Sequence, residues 1–400
     1  MRAWVNYEDE RLLFEPAGDI LIADWQGPAA LSVEESTAAI RAALEAPLGF
    51  PPVGQMLVPG DRVTLAIDQM VCDVGPVVEA LAEVFRDREV ELEDVEVVLT
   101  PEAGGGQTAG FPSGMRVERH DPSALERLAY LASTREGRRV YLNRRLTDAD
   151  VVIPVGRLGY DPVLGYRGPW SVVFPGLSNE ETRASYRRRL REDLSAPSVS
   201  STVLDEVFEV NWLLGAPFHL GLVPGVTGLA GVVAGGAEQV RDRGIGMLDR
   251  LWSFQASERA EVVVAGIGRP GQPTGIEELV EGLVTASRLV SQGGKIIALS
   301  QAQGPIGPGM RRLIDAGDPR RAPAALKGHE GDVDSVAARR LAGVLAWADV
   351  FLLSRLEGDL VEDLSMVPLD RAEDARRLAA RSHSCILISQ AELTRASASE

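Results

Sequence analysis

Apolar runs too short for helices alternate, along the first half of the chain, with stretches in which apolar residues recur every three or four positions. "RVTLAID" (residues 62–68) predicts a strand, "GPVVEALAEVFRD" (75–87) an amphipathic helix, and "VEVVLT" (95–100) the next strand. Strand, helix and strand in that order form a βαβ unit of a parallel sheet. "DPSALERLAYLA" (121–132) predicts a further helix, with Asp121 as its cap and a proline suited to its first turn. The strands "RRVYLN" and "DADVVIPVG" follow. The uncharged stretch "HLGLVPGVTGLAGVVAGGA" (219–237) approaches membrane-spanning length, but Pro224 and its many glycines predict strand, turn, strand.

A second alternation begins at "AEVVVAGIG". It continues through a helix over 274–291, the strand "KIIALSQ", a helix over 334–346, "DVFLLS", the helix "RAEDARRLAARS" and the strand "CILISQ". The pattern predicts an α/β protein of two domains with mainly parallel sheets, residues 1–254 and 255–400. The helical stretch 237–254 is a candidate crossing between them.

Four hundred residues, 45% apolar and 25% charged, provide for two cores of ordinary size. The formal net charge of −17 opposes binding to nucleic-acid phosphates or anionic lipid. "YRRRLRED" (186–193) is the main basic run, and its interleaved acids make it a solvated helix face rather than an anion patch. Cys72 and Cys385 are too few for a disulfide framework and read as buried free thiols in a reducing compartment. "MRAWVNYEDERLLF" has no apolar core of a signal peptide, so a cytoplasmic location is expected.

Several motifs bear on chemistry. "GIGRPG" (266–271) has dinucleotide-fingerprint spacing, but Pro270 and Pro273 keep the glycines in a loop, and no acid ends the next strand to hold a ribose. In "PEAGGGQTAG" (101–110), Gly104, Gly105 and Gly106 follow a strand end. They could turn N–H groups toward an anion or merely form a flexible turn. Asp68 ends the first strong strand, where an acid can orient a ligand hydroxyl or cap a turn. The four histidines have no partner at i+3 or i+4, and no G-x-S-x-G elbow occurs, so neither a helical metal motif nor standard hydrolase machinery is visible.

The order of four segments, "VTLAIDQMV", "VVLTPEAGGGQTAG", "VVIPVGRLGYDPVLGYRGPWSVVFPGLS" and "AEVVVAGIGRPGQPTGIEELVEGL", resembles the nickel-pincer lactate racemase family. Gly165, Tyr166, Gly168, Pro175 and Gly176 keep the frame of that family's cofactor loop. The resemblance implies a lactate-racemase-like fold with a ligand cleft between the domains. It also implies a nickel-bearing pyridinium mononucleotide tethered by a loop lysine, and paired histidines acting as acid and base on a 2-hydroxy acid.

The chain departs from this pattern at the positions that matter. Asp161 stands where the loop histidine would fall, Ser171 near the tethering lysine, and Glu102 or Ala103 near the histidine after the second strand. An arginine expected after Asp68 is replaced near Val71, and Glu281 stands at the lysine of the helix after Gly271. Arg167 replaces a turn serine and offers a cation for a carboxylate or phosphate, or a rim salt bridge. Pro169 and Trp170 displace a glycine, so the indole would fill the cofactor's space or present a flat face to another ligand.

The expectation is a divergent homologue without the nickel-pincer reaction. It binds a small anionic ligand through Asp68, Gly104, Gly105, Gly106, Gly165, Tyr166, Arg167, Gly168, Trp170, Ser171 and Glu281, with no metal. Two alternatives stand beside it: a 2-hydroxy-acid racemase or epimerase using Asp161 and Glu102 as bases, and a non-enzymatic interaction protein.

Overall fold

The computed structural model describes residues 3–7, 10–15, 20–71, 74–101, 110–190, 202–272 and 274–399. The chain divides into two units, Ala29–Arg250 and the combination of Met1–Pro28 with Leu251–Glu400. The hydrophobic pattern assigns residues 1–254 to a single domain, and the opening strands correct that boundary. β1 (Ala3–Tyr7) and β2 (Glu10–Phe14) pair as an antiparallel hairpin. Ala3, Val5 and Phe14 pack with Val262, Val264, Ile297 and Leu387 of the C-terminal sheet. β3 (Leu21–Trp25) adds itself in parallel to the strand Cys385–Ile388. Five-residue strands carry no period that says which sheet will take them, so their membership is decided by tertiary pairing.

The unit Ala29–Arg250 contains β4 (Val63–Ile67), β5 (Val95–Leu99), β6 (Arg116–Arg119), β7 (Leu128–Ser133), β8 (Arg139–Asn143), β9 (Val151–Arg157), β10 (Gly159–Asp161), β11 (Gly165–Arg167), β12 (Phe218–Pro224) and β13 (Leu229–Gly236). Its main sheet has the order β13-β12-β9-β4-β5-β6. Only β13 runs antiparallel. Every residue of β4 is buried, as expected of a central parallel strand covered on both faces, and this is why it reads as an unbroken apolar run. The helix Val74–Asp87 turns Val77, Val78, Leu81 and Phe85 onto the sheet.

The helix expected over 121–132 is instead a 3-10 turn, Leu125–Arg127, leading into β7. Asp121 does not cap a helix; its Oδ1 accepts from the backbone N–H and hydroxyl of Ser123. Antiparallel pairing of β7 with β8 overrides the modest helix propensity of "ALERLAYLA".

The C-terminal unit contains β14 (Ser253–Ala256), β15 (Ala260–Ile267), β16 (Val290–Ser300), β17 (Asp349–Leu353), β18 (Val367–Pro368), β19 (Cys385–Ile388) and β20 (Arg395–Ala398). Its six-stranded sheet, β18-β17-β16-β15-β19-β3, is parallel throughout. Helices Ile276–Ser287, Pro308–Ala316, Ser335–Leu345 and Ala372–Ala379 separate its strands. The α/β class with mainly parallel sheets is as expected.

Each sheet has a point at which the strand order reverses. In Ala29–Arg250 the chain runs outward from β4 through β5 to β6, then returns to the other side of β4 with β9. In the C-terminal unit it runs from β15 through β18 and returns beside β15 with β19. The carboxyl ends of strands at such reversals open a crevice that adjoining loops cannot fill, and open α/β sheets bind ligands there.

Candidate functional site

Asp68 leaves β4 at the reversal point of the first sheet and is 2% exposed. Its N–H donates to Val155 O of β9 (3.0 Å). Oδ1 accepts from Met70 N (2.9 Å), and Oδ2 from an Arg167 guanidinium nitrogen (3.1 Å). Arg167 reaches this point because the β10–β11 hairpin folds back directly after β9. Asp161 braces that hairpin: its Oδ1 accepts from Val163 N and Leu164 N (2.8 and 2.7 Å), while Gly165 takes a left-handed φ of 83°. Tyr160 and Tyr166 anchor it by donating to the two oxygens of Asp249 (3.1 and 2.9 Å). The cation expected for a ligand thus has a carboxylate of its own chain beside it. The pair is no rim salt bridge, since the carboxylate is buried.

Two contributors escape sequence reasoning, Gln69 and Thr100. Gln69 N donates to Thr100 Oγ1 (3.1 Å), joining the ends of β4 and β5. Both polar atoms of the Gln69 side-chain amide are buried and meet no partner. Buried amides ordinarily satisfy both ends, so a donor and an acceptor left together set Gln69 apart from its neighbours. In the sequence Gln69 is merely the polar residue after Asp68, and only the strand order gives its position meaning.

The loop that follows is occupied by its own residues. Trp170 is fully buried, its ring centroid 5.4 Å from that of Phe208. Gly168 lies so close that a Cβ there would stand 2.6 Å from the indole. The expected flat face for a ligand is therefore a core surface. Ser171 Oγ donates to Gly168 O (2.7 Å) and accepts from Gly168 N (3.2 Å), closing a helical turn. The Phe174–Pro175 bond is cis. Asn211 Nδ2 donates to Trp170 O (3.0 Å), and Asn211 Oδ1 accepts from His219 Nε2 (3.1 Å).

Burial pushes the His219 pKa down to about 3, outweighing a bond to the Pro217 carbonyl. The folded chain keeps this ring neutral where the unfolded chain would protonate it, below about 6.5. The unfolded state therefore binds more protons in that window, and stability falls as pH drops, by up to about 1.4 kcal/mol per unit. His120 is pushed the same way by burial. We expect the urea midpoint to fall between pH 6.5 and 5, and His219→Gln, which keeps a donor for Asn211, to flatten that fall. Parallel pH profiles for the two proteins would show that His219 does not carry it.

Other expected residues lie elsewhere. Glu281, on the helix Ile276–Ser287 of the C-terminal unit, accepts from Arg340 (2.7 Å). Glu102, Gly104, Gly105 and Gly106 lie outside the described residues, as does Cys72. Cys385 is a buried free thiol whose pKa burial pushes up to about 12. Within "GIGRPG", Gly268 N donates to Glu392 Oε2 (3.1 Å), and no helix begins until Ile276, consistent with a strand-end loop.

The basic run 186–193 is not a solvated face over its described part. Tyr186 is buried, and both its hydroxyl and Arg189 donate to Glu206 (3.0 and 2.7 Å), which also takes Arg138 (2.6 Å). Burial acts to raise the Glu206 pKa, but the bonds from Arg189 and Tyr186 and the charge of Arg138 prevail and hold it below the usual value. Among the described residues no cluster of three His, Cys, Asp or Glu side chains could hold a metal, and no helix is long and apolar enough to cross a membrane.

Comparison with known proteins follows the same architecture. Residues 7–195 match the lactate racemase N-terminal domain. The fold is similar to the lactate racemase apoprotein from Thermoanaerobacterium thermosaccharolyticum, with a TM-score of 0.82 and 15% identity over 99% of this chain and 100% of that one. A protein from Thermotoga maritima aligns with a TM-score of 0.65 and 14% identity over 94% of this chain and all of the other. No curated protein matches by sequence. The whole chain thus has the fold of the lactate racemase apoprotein, and its residues 7–195 are similar to the lactate racemase N-terminal domain.

Proposed function

We propose that this protein binds a small anionic ligand, of the size of a 2-hydroxy acid, at the β4/β9 reversal point, and does not run the nickel-pincer racemase reaction. The observation that carries the binding reading is the Gln69 amide, a buried donor and acceptor without partners beside the Asp68–Arg167 pair. A carboxylate with a neighbouring hydroxyl offers Gln69 both an acceptor and a donor, while Arg167 supplies positive charge.

The residues at the positions of the family's chemistry do not fit the nickel-pincer nucleotide. Ser171 has no amine to form a tether, and its hydroxyl is engaged by both backbone groups of Gly168. Asp161, at the loop histidine's place, uses Oδ1 to hold a turn. Glu281, at the helix lysine's place, pairs with Arg340. Racemisation needs a proton acceptor on each face of the substrate carbon, and Oδ1 of Asp161 is committed to two backbone N–H groups of its own hairpin.

The test is calorimetric titration of D- and L-lactate, glycolate and acetate into protein purified from cells that make the cofactor, with nickel content and absorbance measured on the same sample. We expect saturable 2-hydroxy-acid binding, weakened about tenfold in Gln69→Leu through loss of one buried hydrogen-bonding group. Nickel should be far below stoichiometric. Stoichiometric nickel with a cofactor chromophore would overturn the catalytic half of the proposal, and affinity unchanged in Gln69→Leu would overturn the site.

A further inference from the structure

The C-terminal sheet carries a second reversal point, between β15 and β19, which the proposal for Gln69 does not use. Three loops leave the sheet there. Gly268 and Arg269 follow β15, Gln301 follows β16 on one side, and Ser389 and Gln390 follow β19 on the other. The parallel registers set Ile267 against Ser300 and Ala265 against Ile388, so β15 and β16 end together while β19 ends two residues short of them and is followed by Ser389 and Gln390. Gln303 N donates to Thr274 O (3.2 Å), joining the loops after β15 and β16, and Ser389 N donates to Trp25 O at the end of β3 (2.9 Å).

Most polar groups around β19 and β3 satisfy one another. Ser389 Oγ accepts from Asn6 N and donates to Gln26 Oε1 (both 3.0 Å), and Gln26 Nε2 reaches Trp4 O (2.7 Å). Gln390 is the exception. It is fully buried, its backbone holds a left-handed φ of 47°, and its Oε1 accepts from Asn6 Nδ2 (3.2 Å), yet Nε2 has no acceptor. A non-glycine residue in that conformation is held there by its surroundings and recurs at ligand sites. On the far side of β15, Gln301 Nε2 is likewise buried without an acceptor. Two strand spacings separate the two residues, about 10 Å between backbones, with the end of β15 between them. Arg269, 8% exposed, stands between them and brings a positive charge.

We infer that this point binds a small monocarboxylate, with Gln301 and Gln390 donating to its oxygens and Arg269 balancing its charge. Leftover donors call for an acceptor-only group. A phosphate fits less well, because the backbone donors it would use are taken by carboxylates: Gly268 N by Glu392 and Gly275 N by Glu278 (3.1 and 3.0 Å). A dianion would be repelled by these carboxylates more strongly than a monoanion. The inference does not rest on the reading of Gln69.

The experiment follows the side-chain amide resonances of Gln301 and Gln390 in 15N-labelled full-length protein, assigned with Gln301→Leu and Gln390→Asn. The asparagine tolerates the left-handed backbone, and Gln301→Leu provides the test if that variant fails to fold. Acetate should shift both resonances saturably, at a dissociation constant of about 1 mM, and inorganic phosphate at the same concentration should not. Gln301→Leu should weaken acetate about tenfold at the Gln390 resonance and leave any titration of the Gln69 resonance unchanged. Resonances that stay fixed in 50-fold excess acetate over that value, a phosphate shift as large as that of acetate, or a Gln301→Leu affinity equal to wild type would each overturn the inference.

Discussion

Trp170→Ala is expected to destabilise the protein by about 3–5 kcal/mol, the cost of removing a large aromatic from a packed interior, read as a drop in the urea midpoint by circular dichroism. The indole is fully buried, contacts Phe208 and underlies Gly168. Its removal leaves a cavity beneath a loop whose main chain also holds Asn211 and, through it, His219. Trp170→Phe, which restores much of the volume, should recover more than half of the loss. A cost below about 1 kcal/mol, together with tighter ligand binding in the alanine variant, would mean that the ring lies over a ligand space and not within the core.

Glu206→Ala should cost a similar amount, about 3–5 kcal/mol at pH 7, because it strands two arginines packed around one buried carboxylate. Arg138 and Arg189 are each 27% exposed, so water recovers part of that loss. Tyr186 also loses its acceptor, and Arg189 keeps only its position 4.8 Å over the Tyr186 ring. The sign of the pH dependence follows from the lowered Glu206 pKa. Its contribution is present above the unfolded value, near 4.5, and is lost as pH falls through the lower folded value. The difference between wild type and Glu206→Ala should therefore shrink in acid. A difference independent of pH down to 3 would show that packing, not charge, is what the glutamate contributes.

The elements most legible in the sequence are those whose pattern has one physical solution. β4, β5, β9, β15, β16 and β19 are apolar runs that need cover on both faces, and the helices beside them show one apolar stripe. The stretch 121–132 fails for the opposite reason. Its alanines and leucines permit a helix, yet Leu128 is the only buried residue of β7, and pairing with β8 decides the matter.

The candidate site divides similarly. Gly165, Gly168 and Tyr166 identify the loop, because a turn, a close approach and an anchored ring each demand a residue type. Partners stay hidden: nothing local says that Arg167 meets Asp68 across nearly a hundred residues, or that Arg189 turns inward to Glu206. The unpartnered amides of Gln69, Gln301 and Gln390 are visible only after every neighbour's hydrogen bonds are assigned.

The placement of β3 bears on how the chain can be made. Asn6 bonds to Ser389, 383 residues later, and β3 pairs only with β19 in its sheet. A ribosome delivers β1 to β3 well before β19, so these strands must wait, without their sheet, while the long segment between them is made. Ala29–Arg250 has all its strands within one continuous stretch and can close during that interval. The C-terminal sheet, bound by the slowest kind of contact, becomes complete only when β19 emerges. A nascent chain stalled before Cys385 would expose the β3 edge to other chains.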